Sequence, residues 1–235
     1  MAPSRLNLLI PALLLSLLAL PPAAGAAARP AAEQAFVARM QAQHGFDPAT
    51  VATLLGAAER RDDILDAIST PAEALPWHRY RPIFLTQARI DAGLAYWEQH
   101  ADTLAAASAR FGVPAEIIVA ILGVETFYGR YQGRYRVLDA LYTLGFHYPP
   151  RADFFRRELA SFLRLCAEEG LDPTTPMGSY AGAMGLPQFI SSSYRHYAVD
   201  FDADGQRDIW ANHADAIGSI ASYLQRHGWQ RQQPI

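Results

Sequence analysis

The sequence predicts a mainly α-helical protein with little β-structure. Helical periodicity dominates the chain after about residue 30, and strict two-residue alternation is scarce. Helix-start and helix-stop residues fall at the ends of the periodic segments, with Asp47-Pro48 and Pro114 as openings and Gly112 and Gly170 as closures. Segment 115–125 is apolar almost all round, the pattern of a central, buried helix. The 235 residues, 51% hydrophobic and 18% charged, hold enough apolar material for one sizeable core or two small ones. A formal net charge of −3 argues against a dedicated nucleic-acid binder, which would gather positive charge on one face. All 20 basic residues are Arg.

The first 28 residues read as a signal peptide, with Arg5 supplying positive charge, Leu6 to Leu20 an apolar run, and small residues following from Ala23 to Ala28. The run is shorter than the roughly 20 residues of a bilayer span, so a retained anchor is the weaker alternative. No Cys stands near the cleavage region to accept a lipid. Residues 29–235 read as one domain. Asp47 caps a helix that passes through Leu54 and Leu55, and Pro71, Pro76 and Pro82 bracket a loop. Thr86 then caps a long segment with Ile90, Leu94, Trp97, Ala101 and Leu104 at helical spacing, ending near Gly112. After the 115–125 helix, another spans 152–169 and stops at Gly170. A Pro/Thr/Gly-rich loop and a Gly-rich stretch, Gly182 to Gly185, follow. The last helix runs from about 214 to 226 with Ile217, Ile220 and Leu224 as its buried stripe. The single cysteine, Cys166, sits among Phe155, Leu159, Phe162 and Leu163, where a small buried hydrophobe explains it better than a catalytic thiol.

Glu125 closes the apolar helix. A buried carboxylate must be neutralised, paired or used. Thr126, Phe127 and Tyr128 would form a partly apolar pocket in which the carboxyl could stay protonated near neutral pH and act as a general acid. The alternative is a helix-end Glu paired with Arg130 or Arg134. Further on, Asp200, Asp202, Asp204, Gln206 and Asp208 follow the spacing of an EF-hand loop with Gly205 at its sixth position. Ala211 stands where a bidentate Glu is expected. A structural calcium and a solvated acidic turn both fit.

Five blocks together resemble a known family: Val124-Glu125-Thr126-x-x-Gly129; Val137-Leu138-Asp139-Ala140-Leu141; Tyr148-Pro149-x-Arg151; Gly178-Ser179-x-Ala181-Gly182-Ala183-Met184-Gly185-x-x-Gln188-Phe189-x-x-Ser192-Ser193-Tyr194; and Asp215-Ala216-Ile217-Gly218-Ser219-x-Ala221-x-Tyr223. In this order and spacing the chain resembles the membrane-bound lytic murein transglycosylase B family and its soluble 35 kDa form over about residues 34–230. The resemblance implies a lysozyme-like, transglycosylase SLT-type α-helical catalytic domain acting on peptidoglycan glycan strands in the periplasm. It requires no cofactor, and it leaves other cell-wall enzymes as further candidate partners. Glu125 would be the catalytic acid/base. Tyr80, Arg151, Ser179, Gln188, Phe189 and Tyr223 would line the glycan groove, whereas on residues alone Phe189 and Tyr223 fit core packing better. Gly182 and Gly185 would let the backbone approach a sugar ring. Asp215 would close a calcium site begun by Asp200, Asp202, Asp204 and Gln206. The family continues past His227-Gly228-Trp229 with a C-terminal segment that this sequence does not contain. A hydrolytic muramidase using Asp200 or Asp202 as second carboxylate, and a catalytically weak glycan-binding protein, are the alternatives.

Overall fold

In the computed structural model, residues 29–70, 75–231 and 233 are described. The expected signal peptide and Pro71 lie outside them. The helices are α1 (Ala31–His44), α2 (Pro48–Ala57), α3 (Asp62–Ser69), α4 (Trp77–Phe84), α5 (Gln87–Gln99), α6 (Ala101–Phe111), α7 (Ala115–Thr126), α8 (Val137–His147), α9 (Ala152–Glu169), α10 (Ser191–Tyr197) and α11 (His213–Arg226). One antiparallel ribbon pairs β1 (Tyr135–Arg136) with β2 (Met177–Gly178), Tyr135 opposite Gly178. Mainly α architecture with little β is therefore what the chain adopts. No single described helix is long and apolar enough to cross a membrane.

Local signals act where the sequence places them. The Asp47 carboxylate accepts the Thr50 N–H at 2.9 Å, with Pro48 in the first turn of α2. The Thr86 hydroxyl accepts the Arg89 N–H, and Gly112 and Gly170 close α6 and α9 in the left-handed conformation. Three expectations are corrected. Segment 76–85 is a short helix, not a loop, and Pro82 sits inside it. Only one intrahelical bond is lost to Pro82, which an exposed eight-residue helix tolerates. The long segment after Thr86 breaks at His100 into α5 and α6. The period of α5 is as read but its face is not: Ile90 and Leu94 are 51% and 61% exposed, while Gly93 and Tyr96 are buried. That inner face is set by Tyr128, whose phenol occupies the slot left by two helical glycines. A Cβ at Gly93 or Gly123 would lie 2.4 or 2.5 Å from its hydroxyl.

Two apolar clusters form the interior. One gathers α1, α2, α3, α8 and α9 around Phe36, Leu55, Leu138, Phe155 and Phe162. The other gathers α5, α6, α7 and α11 around Tyr96, Leu104, Ile118, Leu122 and Ile217. Loop 182–190 touches both, with Met184 and Phe189 in the first cluster and Leu186 in the second. Buried Cys166 belongs to the first, and burial pushes its thiol up to about 12, which leaves it an unreactive hydrophobe. The 137–141 block is structural as well: buried Asp139 accepts two bonds from Arg136 and the Glu59 N–H, tying α8 to the end of α2.

Candidate active site

Helix α7 is apolar all round for two separate reasons. Ile118, Val119, Leu122 and Thr126 face the interior. Ile121 and Glu125, one turn apart, face an open concavity of about 370 Å³. Pro187, Gln188, Phe189, Ile190, Ser193, Ile220, Tyr223 and Leu224 complete its lining. The expectation of a buried Glu125 is thereby corrected: its side chain is exposed, and water reaches it directly. The physical reason is helical phase: Glu125 shares the groove-facing side of α7 with Ile121, which is partly buried against the second cluster and also lines the groove.

Thr126 fixes this carboxylate against the opposite wall. Buried beside Glu125, its hydroxyl donates to the Leu186 carbonyl at 3.1 Å and accepts the Gly129 N–H at 3.0 Å. The end of α7 is thus fastened to the loop that carries Gln188. Two residues in left-handed backbone follow, Phe127 (φ 52°) and Tyr128 (φ 59°), where non-glycine residues are strained. Bonds from the Tyr128 N–H to the Leu122 carbonyl and from its phenol to the Arg89 carbonyl hold that turn. Gln188 is also left-handed (φ 51°), and its amide nitrogen donates to the Gly185 and Gln132 carbonyls. Its side chain is therefore held in place, and does not swing freely over the groove.

Gln188, Phe189 and Tyr223 share the concavity with Glu125. Phe189 is both core and lining: 7% exposed, it pairs with Met184 in a backbone bridge, and its ring centre lies 5.5 Å from that of Tyr223 with the two planes tilted by 41°. Tyr223 stands half-buried among Phe189, Tyr197 and His227. Tyr80, Arg151 and Ser179 are not among the lining residues of this concavity. Tyr80 lies on α4 between Trp77 and Phe84. The Arg151 guanidinium lies over Phe154 at 4.4 Å. Ser179 Oγ accepts the Ala181 and Ala183 N–H groups of its own turn. Sequence reading missed Ile121, Pro187, Ile190 and Ser193 as lining, and it placed Ile220 and Leu224 only in a buried stripe. The four-residue step from Ile121 to Glu125 on one helix face was the signal that could have found the first.

The two glycines expected to admit a sugar have another task. A Cβ on Gly182 would lie 2.7 Å from Leu141, and one on Gly185 would lie 2.5 Å from the Ile209 carbonyl oxygen. Both positions have positive φ, 77° and 65°. They let the loop backbone lie tightly against the interior, so the close approach they serve is protein on protein.

In the acidic loop, Asp200, Asp202 and Asp204 each offer an oxygen within 4.8 Å of the others. Gln206 contributes its backbone N–H to the Asp204 carboxylate, and its side chain is exposed. Asp215 is not part of that group. Fully buried, its two oxygens accept the Phe201 and Asp208 N–H groups at 2.7 and 2.8 Å, so it splints both ends of the loop to α11. Burial pushes its carboxyl above the usual Asp range; the two backbone bonds oppose that, and Asp202 and Asp200 add to it. Asp215→Asn keeps the shape but faces one of the two N–H groups with an amide NH₂. The expected loss is about 1–3 kcal/mol, read as a melting-temperature fall of about 2–4 °C per kcal/mol. An unchanged melting temperature would show that the splint carries no stability.

Residues 28–235 match the family described as the Transglycosylase SLT domain. Over 206 residues the chain is 44% identical to the membrane-bound lytic murein transglycosylase B of Escherichia coli (strain K12), covering 83% of this chain but 57% of that protein. The fold superposes on the soluble lytic transglycosylase SltB1 from Pseudomonas aeruginosa with a TM-score of 0.83 at 55% identity, covering 88% of this chain and 69% of that one. It also superposes on the Escherichia coli lytic transglycosylase Slt35, solved in complex with calcium, with a TM-score of 0.81 at 43% identity, covering 87% and 65%. The groove-facing Glu125, the loop that Thr126 fastens to it and these matches over most of the chain agree: this protein belongs to the transglycosylase SLT domain family.

Proposed function

We propose that the protein is a lytic murein transglycosylase that cleaves the MurNAc-β-1,4-GlcNAc bond of peptidoglycan without consuming water, with Glu125 as its single acid/base. One observation carries the reading. Glu125 is the only carboxylate among the described residues lining the concavity, whereas a hydrolase of the usual kind places two carboxyl groups about the scissile bond. Asp200 and Asp202, the alternative second carboxylates, sit in the acidic loop and accept backbone N–H bonds there. They do not line this concavity.

With one carboxyl, the sugar must supply the nucleophile. The Glu125 carboxyl gives its proton to the glycosidic oxygen as the bond from that oxygen to C1 breaks. The C6 hydroxyl oxygen of the muramyl residue then bonds to C1, and its proton passes to the Glu125 carboxylate. The acid is regenerated, and the product carries a 1,6-anhydro end. Seating a glycan over Glu125 displaces the water that reaches it in the free protein, which favours the neutral form needed for the first step. Ile121, Ile190 and Leu224 suit the apolar faces of sugar rings, while Gln188, Ser193 and Tyr223 suit their polar edges. Ser179, Tyr80 and Arg151 are proposed to extend contact with the glycan beyond this concavity. The deciding experiment is digestion of purified murein and mass analysis of the released muropeptides. Anhydro ends are expected; reducing ends, heavier by one water, would replace the mechanism with hydrolysis.

Residues 1–28 are proposed to direct export to the periplasm, where glycan strands are the partner. The acidic loop is proposed to hold a structural calcium. Its three clustered carboxylates supply hard oxygen donors, and Ala211 in the twelfth position removes the bidentate Glu, which points to a weak site. Millimolar calcium is expected to stabilise the protein by about 1–3 kcal/mol. Chelator should reverse the shift, and Asp200→Asn with Asp202→Asn should abolish it. The turnover of folded enzyme should stay the same, since the ion would lie apart from the proton transfers. A melting temperature indifferent to calcium would leave the loop as an acidic turn.

A further inference from the structure

No residue of α4 is buried, so core packing does not fix this helix in place. Its attachment runs through Arg89 of α5. The Arg89 Nη1 donates to the Ile83 carbonyl at 2.8 Å, and the guanidinium carbon lies 5.3 Å from the centre of the Phe84 ring on α4. The same guanidinium lies 4.9 Å from the centre of the Phe127 ring, two residues beyond Glu125. One planar cation therefore touches an aromatic ring on each of two elements. The backbone of Arg89 is anchored independently, because its carbonyl accepts the Tyr128 phenol at 3.2 Å. Its Nε–H is buried without a hydrogen-bond partner, which leaves the ring contacts and the Ile83 bond to hold the head group. A Lys could supply charge here but not a flat face for two rings.

We propose that Arg89 is a positioning residue for the cleavage: it clamps α4, and with it Tyr80, to the turn that follows Glu125, and so sets the width of the glycan groove. This rests on the reading that a glycan lies against Glu125 and continues to Tyr80 beyond the concavity. Glu125 has its own fastenings through Thr126 and the Tyr128 slot, so a loosened clamp affects substrate placement and leaves proton transfer intact.

Arg89→Lys isolates the planar contacts while keeping the charge. With a soluble tetrasaccharide prepared from murein glycan, KM is expected to rise about five- to tenfold, from loss of the planar guanidinium face between Phe84 and Phe127, while kcat stays within about twofold. A lower melting temperature with both constants unchanged would make Arg89 merely structural and overturn the proposal. A fall in kcat at constant KM would overturn it as well. If Arg89→Lys does not fold, Phe84→Leu removes the α4 half of the contact and is expected to give the same split. Calorimetric binding of the tetrasaccharide to Glu125→Gln, with and without Arg89→Lys, needs no turnover. There the clamp predicts a five- to tenfold weaker Kd, and an unchanged Kd overturns it. A wild-type protein that binds the tetrasaccharide but never yields anhydro product would count against the transglycosylase reading alone.

Discussion

Glu125→Gln is expected to lower the release of anhydro-muropeptides from murein by about 10²–10⁴-fold, the range of a lost general acid–base step. Amide and carboxyl have the same shape, but the amide can neither give the proton to the leaving oxygen nor take one from the C6 hydroxyl. Because the side chain is exposed and the amide keeps its shape, stability should change by less than about 0.5 kcal/mol. Sedimentation with insoluble murein should show binding kept while cleavage is lost. Retained cleavage at the wild-type rate would end the single-carboxylate mechanism, and a large stability loss would mean that Glu125 is a structural residue after all.

The second large effect is expected at Gly185. Alanine there meets two obstacles at once: a backbone at φ 65°, and a Cβ 2.5 Å from the Ile209 carbonyl oxygen, which itself accepts the Leu186 N–H. The loop must move away, and that breaks the Leu186 bond and shifts Gln188, whose main-chain and side-chain nitrogens both donate to the Gly185 carbonyl. A loss of about 3–5 kcal/mol is expected, with reduced activity from displacement of the groove wall. Gly205→Ala provides the comparison. It too has positive φ, 93°, but a Cβ there would meet nothing within 4 Å, so only about 1 kcal/mol of backbone strain is expected. Chemical denaturation of the two variants side by side measures the difference. Equal losses would remove the tight packing of the Gly-rich loop as the reason for its glycines.

The two predictions also separate what sequence reading reaches from what it does not. Helix ends at Asp47, Thr86, Gly112 and Gly170 were legible because a cap or a left-handed glycine acts within a few residues. The burial of Cys166 followed from its helical neighbours. Helix faces were less legible. On α5 the apolar stripe of Ile90, Leu94 and Trp97 lies at the surface, because two glycines on facing helices admit a tyrosine from a turn more than thirty residues away. On α7 the same apolar surplus served two surfaces, one inside the protein and one along a groove, and residue type alone cannot separate them. The ribbon between β1 and β2 consists of two residue pairs, too short for any periodicity to reveal.

From the sequence by itself came the helical class, the helix boundaries set by local chemistry, the family resemblance and Glu125 as the residue to watch. Those properties are fixed by residue identity and near-neighbour spacing. Only the tertiary structure decided that Glu125 meets solvent and is not sunk in the core, that Gly182 and Gly185 face protein instead of sugar, and that Asp215 splints the acidic loop from outside the cluster of three carboxylates. Each of these depends on which remote backbone comes to lie against a given side chain. Long-range packing sets that geometry, and no local pattern encodes it.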